Sequence, residues 1–198
     1  MNLDRFYPIF DDVSWLRRML PLGVRLVQLR LKGRPPGDLC KQIVEGRDLC
    51  RKYSAVLVVN DYWQVAIDTG CDFVHLGQED LDSADLPAIR RAGLRLGVST
   101  HDLTELDRAM TLTPDYIALG PIYPTILKQM KWQQQGLERV TEWKRLINDL
   151  PLVAIGGMSV ARAAGTYLAG ADIVSAVTDI TLNAEPEARL VEWLGATR

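Results

Sequence analysis

The sequence predicts an α/β fold, a single-domain (β/α)8 barrel. Three observations carry this reading. Eight short apolar runs alternate with longer amphipathic stretches. The runs are rich in Val, Ile and Leu without clean polar alternation, as in parallel strands covered on both faces. Eight strands alternating with eight helices is the pattern of a barrel with an outer helical ring. A doubly wound open sheet is the alternative that periodicity leaves open.

The first strand is Phe6–Phe10, followed by a helix over 12–20 with Val13, Leu16 and Leu20 on one side. The second strand, 25–30, leads to a helix over Pro36–Lys52, whose opening Pro and Asp suit a first turn. The third strand, 55–60, precedes a short helix over 62–69. Strand four, Phe73–Leu76, precedes a helix over 84–92, and strand five, 95–98, one over 103–112. Strand six, Tyr116–Leu119, is followed by a long connection, 120–136, and a helix over 138–150. Strands seven and eight, Leu152–Ile155 and Ile173–Ala176, lead into helices over 159–169 and 186–194.

The whole chain, 1–198, reads as one domain without linker or internal repeat beyond the βα unit. Barrels of this kind run from ~200 to over 400 residues, so most loops must be short. The segment 120–136 is the exception and reads as an active-site loop. It carries Pro121, Pro124, Thr125, Lys128, Lys131, Trp132 and three successive glutamines at 133–135. Long loops in compact domains usually bind ligands or cover them.

Composition excludes several classes. An apolar fraction of 47% excludes dominant disorder. No apolar stretch approaches the ~18 residues of a spanning helix, so no membrane partner is expected. Met1-Asn2-Leu3-Asp4-Arg5 lacks the basic and apolar regions of a secretory signal. The net charge of −2 lacks the basic excess of a non-specific nucleic-acid binder, so no nucleic-acid partner is expected. Cys40, Cys50 and Cys71 have neither disulfide nor zinc spacing, which points to a reducing cytoplasm. Trp15, Trp143 and Trp193 read as core or interface side chains, which leaves a homo-oligomer open.

In a barrel the chemistry collects at the C-terminal strand ends. Strand two ends in Gln28-Leu29-Arg30-Leu31-Lys32, where Gln28, Arg30 and Lys32 share a face and suit an anion. Asn60-Asp61 and Asp80 supply hard oxygens at the ends of strands three and four. Such ligands suit Mg²⁺, which takes one or two carboxylates plus substrate phosphates. Helix capping is the plainer role for Asp80, as it is for Ser99 and Thr100. Gly156-Gly157 lets backbone amides approach an anion before a helix start, and Val177-Thr178 follows strand eight. Phosphate sites are often built from these last two loops. Two anion sites in one barrel point to a reaction that joins two phosphorylated small molecules.

These same segments resemble the thiamine-phosphate synthase family. The resemblance rests on 27–32, Asn60-Asp61-Tyr62-Trp63, His75-Leu76-Gly77-Gln78-Glu79-Asp80, Gly97-Val98-Ser99-Thr100-His101, Gly120-Pro121-Ile122-Tyr123-Pro124-Thr125 and Ala154-Ile155-Gly156-Gly157. It implies a TIM barrel that couples a hydroxymethylpyrimidine diphosphate to a thiazole phosphate with Mg²⁺ and releases pyrophosphate. Gln28, Leu29, Arg30, Leu31, Lys32, Asn60 and Ser99 would hold the pyrimidine diphosphate. Asp61 and Asp80 would bind the metal. Thr125, Ile126 and Leu127 would line the thiazole-phosphate site, with Lys128 on the pyrophosphate. Gly157, Val177 and Thr178 would hold the thiazole phosphate. Arg30, Lys32, Ser99 and Lys128 would carry catalysis.

One departure stands out. The family usually reads Thr-x-Thr-Lys in the long loop, and here Thr125-Ile126-Leu127-Lys128 stands instead. A thiazole tautomerase or a non-catalytic thiazole-phosphate binder is the alternative, although the tautomerases tend to lose the two acidic motifs kept here.

Overall fold

Eight parallel strands close into a barrel in the order β1 to β8, with β8 pairing back on β1. The computed structural model describes residues 3–125 and 133–198. The strands are β1 (Phe6–Phe10), β2 (Leu26–Leu29), β3 (Val56–Asn60), β4 (Phe73–Leu76), β5 (Arg95–Thr100), β6 (Tyr116–Leu119), β7 (Leu152–Ile155) and β8 (Ile173–Ala176). Around them lie α1 (Val13–Met19), α2 (Pro36–Lys52), α3 (Trp63–Asp68), α4 (Gln78–Ser83), α5 (Leu86–Arg91), α6 (Leu103–Thr111), α7 (Gly136–Ile147), α8 (Val160–Leu168), α9 (Thr178–Thr181) and α10 (Pro186–Thr197). The open-sheet alternative is thereby excluded.

The strands are buried on both faces, and their alternation separates two cores. Tyr7, Leu26, Val58, Phe73, Tyr116 and Ile173 fill the barrel interior. Their neighbours in sequence, among them Phe6, Val27, Val59, Val74 and Val174, pack outward against the helices. Trp143 and Trp193 belong to that outer shell and are fully buried. Trp193 stacks on Phe6 with ring centres 4.9 Å apart. Trp143 Nε1 donates to Thr100 Oγ1 at 2.9 Å. Trp15 is half-buried and stacks on Phe10.

Two helical expectations change. The helix read over 84–92 is α5, and an unexpected short helix, α4, precedes it, the two parted by Ala84 and Asp85. Asp85 starts α5 by accepting from Ala88 N–H at 2.9 Å, and Pro87 supplies a pre-set first turn. The single turn α9 was not expected at all; it lies directly after β8, at the mouth of the barrel. Among the described residues no helix is long and apolar enough to cross a membrane.

Candidate active site

The inward-facing residues turn polar at the C-terminal ends of the strands. Gln28, Asn60, His75, Ser99 and Ser175 replace the apolar layer beneath them and line a cavity of about 460 Å³. Arg30 and Thr178 stand at its rim. A wider hollow of about 750 Å³ lies on the outer face of α2, beside Cys40, Lys41 and Glu45. It gathers none of the strand-end residues and no buried polar group, so the chemistry belongs to the barrel mouth.

On one side of the mouth sits an acid–base cluster. Asp61 follows β3 with φ +66°, a left-handed conformation that costs energy in a non-glycine residue and recurs at functional sites. Its N–H donates to the His75 carbonyl at 2.9 Å, which ties it to β4. Its carboxylate is ion-paired with the Lys32 ammonium. Asp80 is not the cap of a later helix. It lies inside α4, and its carboxylate accepts from Gly77 N–H at 3.2 Å. Burial, with the Asp61 carboxylate within hydrogen-bonding reach, raises the Asp80 pKa above the usual carboxylate range. Two carboxylates that repel each other beside a lysine form a hard-oxygen donor set that a divalent cation would relieve. Among the described residues no group of three or more His, Cys, Asp and Glu could enclose a metal alone. A divalent cation held by this pair would draw its remaining ligands from substrate and water.

Ser99 does not cap a helix either. It lies within β5, and its Oγ is 2.8 Å from His75 Nε2; Asp102 caps α6 instead, accepting from Glu105 N–H at 2.9 Å. His101 pairs with Glu105, Nδ1 to Oε2 at 2.7 Å. Leu29 and Leu31 point into the outer core, so any ligand contact they make runs through their backbone.

On the opposite side β7 turns into α8 through Gly156 and Gly157, with φ +98° and +61°. A Cβ at Gly156 would sit 2.7 Å from Pro121, and one at Gly157 would collide with Tyr123 and Pro124. Only glycines allow the long loop to lie against this turn. Val177 and the start of α9 complete this rim. Downstream, Gln135 and Gly136 N–H groups bond the Pro121 and Ile122 carbonyls, at 2.7 and 3.0 Å. Thr125 is half-buried at this edge. Ile126, Leu127, Lys128, Lys131 and Trp132 lie outside the described residues.

Sequence reasoning missed a set of buried polar groups below the mouth. Tyr7, Tyr116 and His75 are buried within apolar strands and bonded to one another and to Gln28 and Ser99. Ser175 is 1% exposed, and its Oγ has no hydrogen-bond partner among the described residues. The signal available was a polar residue at an alternate position of an apolar run, which by itself does not say which face is the barrel interior.

Comparison with known proteins agrees with this geometry. A family model described as thiamine monophosphate synthase matches residues 6–180. A thiamine-phosphate synthase of Rhizobium etli is 55% identical, covering 100% of this chain and 97% of the relative. That of Klebsiella pneumoniae is 47% identical over 96% of this chain and 87% of its own length. Among solved structures, a thiamine phosphate pyrophosphorylase from Pyrococcus furiosus superimposes with a TM-score of 0.87 at 26% identity, over 98% of this chain and 95% of that one. A 3-hexulose-6-phosphate synthase, at 15% identity and a TM-score of 0.69, shares the fold alone. The closed eight-stranded barrel, its polar strand ends and these relatives agree: the chain belongs to the thiamine monophosphate synthase family.

Proposed function

We propose that this chain is a transferase, a thiamine-phosphate synthase. It joins 4-amino-2-methyl-5-hydroxymethylpyrimidine diphosphate to thiazole phosphate, giving thiamine phosphate and pyrophosphate. What carries the reading is the cluster of Lys32, Asp61 and Asp80 beside the cavity at the strand ends.

Asp61 and Asp80 would hold Mg²⁺, which when bound neutralises charge on the diphosphate oxygens. Arg30 and Lys32 would bind the same leaving group, as would Lys128, which is assigned there by resemblance. The pyrimidine carbon–oxygen bond breaks as pyrophosphate departs, and the bonding electrons leave with it. The thiazole nitrogen then attacks the methylene carbon with its own lone pair. No protein base or nucleophile is needed, and catalysis reduces to charge neutralisation and positioning. Gln28, Asn60 and Ser99 would orient the pyrimidine. The Gly156–Gly157 turn and the start of α9 would hold the thiazole phosphate, the arrangement barrels commonly use after strands seven and eight. The thiols fit a reducing compartment: all three cysteines are unpaired, and burial pushes the Cys50 thiol up to about 12, which keeps it unreactive.

The test is pyrophosphate release by the purified chain, with each substrate alone and with both, in the presence of Mg²⁺ and of chelator. Release that requires both substrates and the metal is expected. Release independent of the thiazole phosphate, or none, sinks the synthase reading and favours a tautomerase or a silent binder.

A further inference from the structure

Five polar side chains run in single file through the barrel, from β2 to β5. Gln28 Nε2 lies 2.8 Å from Tyr7 Oη. Tyr7 Oη and Tyr116 Oη are 3.0 Å apart. Tyr116 Oη is 2.8 Å from His75 Nδ1, and His75 Nε2 is 2.8 Å from Ser99 Oγ. Gln28, Tyr7, His75 and Tyr116 are all buried. The two ends of the file are residues assigned above to the pyrimidine substrate. The three members between them have no role in the reaction as described so far.

The protons in this file can be ordered from one end. An amide nitrogen only donates, so the Tyr7 oxygen accepts from Gln28. The only further partner of Tyr7 Oη among the described residues is Tyr116 Oη, so the Tyr7 proton goes there. The Tyr116 proton then goes to His75 Nδ1. That nitrogen must be bare, so the neutral ring carries its proton on Nε2 and donates to Ser99 Oγ. Ser99 has now accepted within the file, and its own proton is left for the cavity. The opposite order strands the Tyr7 proton, buried, against a nitrogen with no lone pair, which native interiors avoid.

We infer that Tyr7, Tyr116 and His75 are positioning residues that fix Ser99 as a hydrogen-bond donor into the cavity. The device selects a pyrimidine substrate that presents a lone pair at Ser99, whether on the ring or on its diphosphate. Tyr116 stands behind His75 as His75 stands behind Ser99, so both act at a distance from the reacting atoms. The inference rests on the reaction proposed above.

The experiment begins with the tautomer. The chain has two histidines, so long-range ¹H–¹⁵N spectra of the labelled protein at pH 7 contain two imidazoles, and His75→Gln identifies one. A neutral His75 with its proton on Nε2 is expected. A neutral ring with its proton on Nδ1, or a protonated ring, overturns the inference directly. Kinetics supply the second readout. Tyr116→Phe removes the donor to Nδ1, and it should raise KM for the pyrimidine substrate by ~10-fold and leave KM for thiazole phosphate unchanged. Ser99→Ala placed on that variant should then cost no more than ~2-fold further, because the two act as one unit. Full additivity, or equal rises in both KM values, assigns these residues to packing only. Should Tyr116→Phe not fold, Tyr7→Phe cuts the file one step earlier and carries the same expectations. Absence of turnover in the wild-type chain overturns the reaction and the substrate named here, whereas the wrong tautomer with normal turnover overturns the positioning device alone.

Discussion

Ser175 lines the cavity, and its buried hydroxyl has no hydrogen-bond partner among the described residues. Ser175→Ala should therefore melt no lower than the wild type, while KM for one of the two substrates rises several-fold. A lower melting temperature with unchanged KM would assign the hydroxyl to the fold instead. Asp61→Ala should abolish coupling and leave thiazole-phosphate binding nearly intact, since Asp61 stands with Lys32 and Asp80 and not at the Gly157 rim. Titration calorimetry against thiazole phosphate checks this, and equal loss of both would refute it. Leu127 replaces a hydroxyl residue, and a hydrogen bond to a charged group is worth ~1.5–3 kcal/mol. Leu127→Thr should thus raise kcat/KM by ~10-fold or more, measured at limiting thiazole phosphate. The polar residues that end apolar strands, Arg30, Lys32, Asn60 and Asp61, could be read directly from the sequence. His75, Tyr7, Tyr116 and Ser175 could not, because a strand buried on both faces gives no periodic sign of which face is the interior.

Elements were legible where the pattern was strong and blurred where local chemistry set the boundary. β1, β4, β6, β7, β8 and α2 fall where the apolar pattern puts them. β5 runs two residues past its apolar run, to Thr100, because Ser99 and Thr100 find partners inside the barrel and in the outer shell, His75 and Trp143. α4 and α9 escaped notice because they are too short for a helical period to show. Packing between β5 and β6 depends on one small residue. Gly97 on β5 pairs with Tyr116 on β6, and a Cβ there would collide with the tyrosine ring. Overpacking of this kind typically costs ~1–3 kcal/mol. Gly97→Ala should lower the urea midpoint accordingly, and Gly97→Ala with Tyr116→Phe should recover little, since the ring itself and not its hydroxyl is in the way. Full recovery by the double variant would contradict this.

At the scale of the whole molecule, the buried file makes stability depend on pH. Unfolded His75 takes a proton near pH 6.5, but the folded chain resists until about 4. Between those values the unfolded state binds more protons, so stability falls as pH falls through this window. Above pH 6.5 the contribution is flat. The full window is worth on the order of 3 kcal/mol for a shift of this size. Asp80, with its raised pKa, opposes the trend by accepting a proton in the folded state. Urea midpoints at pH 7 and 4.5 should therefore fall further in the wild type than in His75→Gln; an equal fall would remove His75 from the account.

Closure of the barrel has a temporal side. β1 finds one of its two partners at once, in β2, but the other is β8, roughly 160 residues later. A ribosome adding ~5–20 residues per second needs ~8–30 s to deliver it. Until then the outer edge of Phe6–Phe10 has no neighbour, and neither does the growing edge of the sheet. For most of its synthesis a nascent chain of this protein therefore cannot close its sheet, and in that interval any strand edge already formed is open to edge-to-edge association in competition with folding.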